Sequence, residues 1–365
     1  MELSCHLPVN RTSFGNVSYG LLREIQRRNY NLSYFPIGQL DLSVFNADES
    51  FQKWMSDAYA RGSVKHDHSH RGIKLWHLCA PDESGAPNGS YSRLNDNTTL
   101  LSFYETDSPT ELELNVARNF DTVFSSNYTC EVFKERGVKT RYVPLFFDNL
   151  HFQTTNKKYY NDDRIVFMVA GKFENRKRHQ KIIETWVKRF GNDRRYYLNL
   201  AVYNPFFPPE LNQHLLLSSM GGNHYWNVNA LGYIPSNVAY NDFVNSNNII
   251  IGASGGEGFG LPEFHATALG KHAVILNAHA YKDWANKDNA VMFEPSGKIS
   301  SVDGVFFKEG SNHNQGQIYD WEPDALVAAL ETAIKRFESY PVNTAGLALQ
   351  KQFSVEQTVN GLLNQ

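Results

Sequence analysis

Short apolar runs alternate with amphipathic stripes along this chain, and that alternation restricts its fold more than any other feature. The runs at 100–103, 165–170, 198–202, 249–251 and 273–276 have the length and apolar content of buried strands. Ile182, Ile183, Trp186, Val187 and Phe190, and later Leu326, Ala329, Leu330, Ala333, Ile334 and Phe337, recur at steps of three and four and so share one helical face. Strands that take turns with helices build parallel sheets covered on both sides. At 365 residues the chain is long for one such domain and comfortable for two. The polar stretch 149–163, NLHFQTTNKKYYNDD, runs straight into an apolar strand. It predicts a linker between two α/β halves, 1–150 and 151–344, with a ligand cleft between them. The segment 345–365 reads as helical and is expected to pack back on the first half.

Composition excludes several classes. A net charge of -3 gives no basic footprint for nonspecific nucleic-acid binding. No run reaches the roughly 18 apolar residues of a membrane span, and the start, MELSCHLPVN, lacks the charge and apolar stretch of a signal peptide. Cys5, Cys79 and Cys130 are scattered and odd in number, which points to reduced thiols in the cytoplasm rather than a disulfide framework or a structural zinc. The triplets Asn16-Val17-Ser18 and Asn127-Tyr128-Thr129 read as chance glycosylation matches. The histidines of Lys65-His66-Asp67-His68-Ser69-His70-Arg71 lie two apart, on one face only if extended, and we read that segment as a surface or acceptor-side loop. No metal site is expected.

The most informative stretch is Gly252-Ala-Ser-Gly-Gly256-Glu257-Gly258-Phe259-Gly260-Leu261-Pro-Glu263-Phe-His265, which follows a strand and opens an alanine-rich helix. Glycines at such a junction let backbone approach a ligand, and the N–H groups of the helix start suit a phosphate. A tight turn would use the same glycines. The run Ser-x-x-Glu-Gly-Phe-Gly-Leu-Pro, however, resembles the donor loop of family 4 retaining glycosyltransferases. That resemblance places Glu257 on the donor sugar and makes Gly256, Gly258, Phe259, Gly260 and Leu261 donor-binding. The family's second glutamate falls on His265, which would meet the ribose as a hydrogen-bonding imidazole. Glu263 lies about 200° around the helix from His265 and is a poor substitute.

After the strand at 165–170 comes Gly171-Lys172-Phe-Glu-Asn-Arg176-Lys177-Arg178-His179, similar to the family's Gly-Arg-x4-Lys-Gly segment. The resemblance makes Lys172 and Lys177 catalytic cations for a departing nucleoside diphosphate, in place of a divalent metal, with Gly171 and Arg176 beside it. Asn229-Ala-Leu-Gly-Tyr-Ile234-Pro235 is similar to the strand-to-loop segment next to the nucleobase. In the first half, Phe14-Gly15-Asn16-Val17-Ser18-Tyr19-Gly20 resembles the glycine-bearing loop facing the donor phosphates, and Ser102-Phe-Tyr-Glu105-Thr-Asp107-Ser-Pro109 the Glu-Thr-Asp segment of a bacterial subset. Glu105 becomes a second candidate for direct chemistry, and Asp107 and His77 acceptor-side candidates. A core histidine and a solvated cap are the plainer readings of these last positions.

The resemblance covers about residues 100–335 and implies an α/β fold of the GT-B type, two Rossmann-like domains whose parallel sheets face a central cleft. It implies a retaining, metal-independent glycosyltransferase with no cofactor, a nucleotide-sugar donor, and a glycan or other hydroxyl acceptor, peripheral membrane contact included. A non-catalytic sugar-nucleotide or glycan-binding protein and a sugar-nucleotide epimerase use the same fold, and a hydroxymethylated DNA base is a further acceptor variant.

Overall fold

The computed structural model describes residues 1–65, 70–78, 97–160, 162–234 and 236–364. The chain forms two compact units, one of Met1–Leu150, Gly304–Gly316 and Phe353–Gln365, the other of His151–Asp303 and Gln317–Gln352.

In the first unit β1 (Glu2–Leu7), α1 (Ser13–Arg27), β2 (Asn31–Pro36), α2 (Glu49–Tyr59), β3 (Arg71–Leu75), β4 (Thr98–Ser102), α3 (Glu111–Asn119), β5 (Asp121–Phe124), α4 (Asn127–Glu135) and β6 (Arg141–Tyr142) follow one another. The strands pair in parallel in the order β2-β1-β3-β4-β5-β6. Helix starts are set by side chains: Asp48 accepts the Phe51 N–H, and Thr110 and Glu113 cap α3 reciprocally. Val17, Leu21, Leu22 and Ile25 form the buried stripe of α1. The sequence predicts a loop over 14–20, whereas the structure winds Ser13 onward into α1. Gly15 therefore sits in the first helical turn, where an added Cβ would lie 2.0 Å from the Asn10 carbonyl oxygen. The glycine serves a close backbone approach there. The segment Gly304–Gly316 belongs to the same unit: the Asn314 N–H donates to Glu113 at 2.9 Å and the Thr110 hydroxyl to the Asn312 carbonyl at 2.7 Å.

In the second unit come β7 (Ile165–Ala170), α5 (His179–Phe190), β8 (Tyr196–Ala201), α6 (Pro209–Ser219), β9 (Val228–Ala230), α7 (Asn237–Asn245), β10 (Ile249–Gly252), α8 (Leu261–Ala268), β11 (His272–Leu276) and β12 (Val291–Phe293). A hairpin of β13 (Gly297–Ser300) and β14 (Gln317–Asp320) follows, then α9 (Pro323–Ser339), α10 (Thr344–Leu347) and α11 (Leu349–Gln352). The main sheet is parallel, in the order β12-β11-β10-β7-β8-β9. Strands β7, β10 and β11 are buried at every residue, which is why they read as unbroken apolar runs. Within the stretch 149–163, the N–H groups of Gln153 and Thr155 donate to the side chains of Asn241 and Asn245 on α7.

The last helix, α12 (Val355–Leu363), returns to the first unit and packs on α1 and β4. Val359 and Leu362 are fully buried, and the Thr358 hydroxyl donates to the Pro144 carbonyl at 2.9 Å. The chain thus passes between units four times, at 150/151, 303/304, 316/317 and 352/353. No helix among the described residues is long and apolar enough to cross a membrane.

Leu362→Ala is expected to destabilise the first unit by about 2–5 kcal/mol, the cost of a large-to-small change in a packed core. Hydrogen exchange should accelerate in β1 and β4 and stay unchanged in β7 and β10. Equal acceleration in both sheets would contradict the assignment of α12 to the first unit.

Candidate active site

The strand order of the second sheet locates a crevice before any side chain is considered. From β7 the chain builds outward through β8 and β9, then returns to lay β10 on the other side of β7 and continues through β11 and β12. At such a reversal the loops leaving the carboxyl ends of the two central strands part, and ligands of doubly wound sheets bind there. The two loops are 171–178, after β7, and 253–260, after β10. The Gly255 N–H donates to the Arg176 carbonyl at 2.9 Å and joins them.

Backbone geometry decides which cations turn inward. Asn175–Lys177 form a single 3-10 turn, and Arg178 ends it in the left-handed region with φ 55°. That turn buries Arg176 and Lys177, at 5% and 7% exposure, and sends Arg178 to Asp320 at 3.1 Å. Gly171 has φ +121°, and the Lys177 methylenes lie 3.2 Å from where its Cβ would be. A side chain at 171 would block the path of the lysine. On the other loop, three ring N–H groups hold the carbonyls: Trp321 donates to Ala253 at 2.8 Å, His279 Nε2 to Ser254 at 2.8 Å, and Trp284 to Phe259 at 2.9 Å.

The charges alternate. Lys172 lies 2.8 Å from Glu174, Glu174 lies 3.0 Å from Arg176, Arg176 lies 3.2 Å from Glu257, and Lys177 Nζ donates to Glu257 Oε1 at 2.6 Å. Arg176 also donates to the Gly256 carbonyl. Burial alone would raise the Glu257 carboxyl, but Lys177 and Arg176 outweigh it and hold the group well below the usual carboxylate range. For Glu174 burial is likewise overcome, by Arg176 and Lys172. Burial works to lower Lys177, and the Glu257 carboxylate more than offsets it, so the ammonium is kept charged. His179 and His279 are pushed down to about 3 and about 4, chiefly by burial, and are neutral. Glu263, on the first turn of α8, behaves oppositely: burial pushes it up to about 7, with Lys177 opposing and Glu257 adding to the rise.

Of the residues singled out in the sequence, Gly171, Lys172, Arg176, Lys177, Gly256, Glu257, Gly258, Phe259, Gly260 and Leu261 lie in these two loops and the helix start they lead into. Lys172 is the outermost cation, with its side chain 42% exposed and its Nζ 5.0 Å from the ring centre of Phe206. Ile234 lies after β9, two strands from β7. His265 is buried and stacks on Phe152, ring centres 4.2 Å apart at 12°. Glu263, which helical spacing sets aside, is the α8 carboxyl whose charge is coupled to Lys177 and Glu257.

The candidates of the first unit gather at that unit's own sheet reversal, between β1 and β3. Gly15 and Asn16 lie in the α1 turn after β1, and His77 follows β3. Phe14 packs on His77 with ring centres 4.7 Å apart and stacks on Phe103 at 4.9 Å. Glu105, after β4, is half-buried, and Asp107 packs against Gly316, its Oδ1 2.6 Å from where a Cβ would be. A small recess here is lined by His77, Phe103, Tyr104, Glu113 and His313. Burial pushes the Glu113 carboxyl up to about 6. Its Thr-x-x-Glu capping spacing was the one signal that could have marked it. Residues 66–69, Cys79 and Pro235 lie outside the described residues, so the histidine-rich segment is not placed. Among the described residues no group of three or more His, Cys, Asp or Glu could hold a metal ion, and neither Cys5 nor Cys130 is in a disulfide.

No protein-family model and no curated protein sequence matches the chain. Solved structures do. Sucrose-phosphate synthase from Thermosynechococcus elongatus superimposes with a TM-score of 0.66 at 12% identity, covering 100% of this chain and 98% of that one. A glycosyltransferase from Rickettsia africae gives 0.65 at 12% identity, over 100% and 97% of the two chains. HepE from Anabaena, in complex with UDP and glucose, gives 0.66 at 12% identity over 100% and 98%. At this identity the likeness is one of fold. The chain has the GT-B fold, with two parallel six-stranded, Rossmann-like sheets.

Breaking a buried ion pair from one side strands the other charge. Lys177→Met is expected to cost about 3–5 kcal/mol of stability, and adding Glu257→Leu should recover part of that loss. Urea denaturation of the two single variants and the double variant measures this. Strict additivity would show that the two groups are not coupled.

Proposed function

We propose that this chain is a glycosyltransferase that moves a sugar from a nucleotide-sugar donor to a hydroxyl acceptor of a glycan or small molecule, with retention and without a metal. The observation that carries the reading is the buried Arg176–Glu257–Lys177 group between the carboxyl ends of β7 and β10. Nucleotides of doubly wound folds bind at that place. The fold neighbours support it by what they hold: HepE is described in complex with UDP-glucose and with UDP.

In the proposed reaction the bond between the anomeric carbon and the diphosphate oxygen breaks while the acceptor oxygen bonds to that carbon. The acceptor proton passes to the leaving phosphate oxygen, so no carboxylate need attack the ring. Charge builds on the diphosphate as the bond opens. Lys177, Arg176 and Lys172 meet it, as do the N–H groups at the start of α8. These groups are already fixed by Glu257 and Glu174, so little reorganisation accompanies the step. Glu257 orients sugar hydroxyls, and Glu105 is the second candidate for direct chemistry.

Lys177→Ala and Lys172→Ala should each weaken UDP binding by about 1.5–3 kcal/mol, the scale of a hydrogen bond to a charged group. Unchanged calorimetric affinity in both variants would remove the assignment. Incubation with a panel of nucleotide sugars, with and without EDTA, tests the reaction itself. Transfer or slow hydrolysis that survives chelation, with the anomer retained by NMR, is expected. An inverted product, an isomerised donor, or binding without turnover would each point to a different activity.

A further inference from the structure

The glycine loop 253–260 has a carboxyl group beneath it that the reaction above does not use. Glu263 is 4% exposed, and its side chain lies close to both Gly252 and Gly260, the residues that flank and end the loop. A Cβ added to Gly252 would lie 2.8 Å from Glu263 Cγ, and one added to Gly260 would lie 3.4 Å from Glu263 Oε2. Tyr281 closes the same space, with its Cε1 2.4 Å from the Gly260 Cβ position. Glu263 Oε2 and the Tyr281 hydroxyl are both buried, and neither meets a hydrogen-bond partner among the described residues, although each group shifts the titration of the other.

We propose that Glu263 is the positioning residue of this loop: by spanning it from Gly252 to Gly260 and pairing with Tyr281, it sets where Glu257 meets Lys177. The proposal deepens the transferase reading and rests on it for its catalytic consequence, although the brace itself does not. The groups that face Glu263 are Lys177 on the β7–α5 loop, Glu257 on the glycine loop, Tyr281 after β11 and Tyr240 on α7. Two ionised carboxylates on this side would compete for the one lysine, so the brace works as the protonated acid. In that form the carboxylic acid and the Tyr281 phenol each keep their own proton, one hydrogen bond can join them, and Lys177 is left to Glu257. The direction of its titration agrees, since burial holds the proton on Glu263 up to about pH 7.

The sign of the linkage gives the test. A carboxyl whose proton is held more tightly in the folded state stabilises the fold fully at low pH, and that contribution is lost as pH rises through about 7. Glu263→Gln keeps the shape and a neutral hydrogen-bonding end but cannot ionise. Thermal and urea unfolding of the full chain and this variant should be compared between about pH 5 and pH 8.5. The ratio of folding constants, wild type over variant, is expected to fall by up to about tenfold per pH unit toward neutrality. UDP affinity of wild type should decline above about pH 7 while that of Glu263→Gln stays level, and Glu263→Leu should bind UDP weakly at every pH. Parallel stability profiles for wild type and Glu263→Gln would overturn the protonated brace. So would equal UDP binding by Glu263→Leu and wild type. If UDP binds none of the three proteins, the transferase reading fails, and the stability profiles still decide the brace.

Discussion

Lys177 and Glu257 meet in a place that water barely reaches, and most of what surrounds them follows from that. Removing two opposite charges from water is expensive, and their mutual attraction compensates only when geometry is good and the remaining lone pairs are occupied. The structure meets both conditions from two loops at once. Glu257 takes Lys177 on one oxygen and Arg176 on the other, and Arg176 is in turn held by Glu174 and the Gly256 carbonyl. The glycine at 171 gives the lysine its path, and the tryptophan and histidine ring N–H groups keep the opposing loop in register. A charged cluster built in this way is preorganised before any ligand arrives, which is the property an anion-binding crevice needs.

The two units use their sheet reversals differently. In the second unit the crevice is lined by cations and carboxylates at short range. In the first, the corresponding place is aromatic: Phe14 packs on Trp76, His77 and Phe103 within 6 Å between ring centres, and Trp76 packs on His77. Under the proposed function the charged crevice receives the diphosphate of the donor. Glu113 is the acid that lines the recess beside this aromatic group.

How much of this was legible depends on how local the cause was. Strands β7, β10 and β11 were readable because full burial writes them as apolar runs, and the two loops because glycine and basic residues mark them directly. The short strands β9 and β12 left no such mark. The first hundred residues hold β1, β2 and β3, none of which the sequence marked, because β1 and β2 mix polar residues into their pairing. Glu174 and Glu263 were missed for a tertiary reason. Each reads as an ordinary solvated acid until the opposite loop is brought over it. His265 sits on the motif spacing, yet its ring packs on Phe152, a contact that crosses more than a hundred residues of sequence. Periodicity places a residue on a helix face, but not what lies opposite that face.

The repeated passage of the chain between the units has a consequence for how this protein is made. Every strand of the first sheet lies before residue 143, yet that unit also needs Gly304–Gly316 over α3 and α12 against α1 and β4. A chain emerging from its N-terminus therefore carries an unfinished first unit through the whole synthesis of the second. During that interval the face that Val359 and Leu362 will cover stands open to solvent. The unit whose sheet is synthesised first is the last to be sealed.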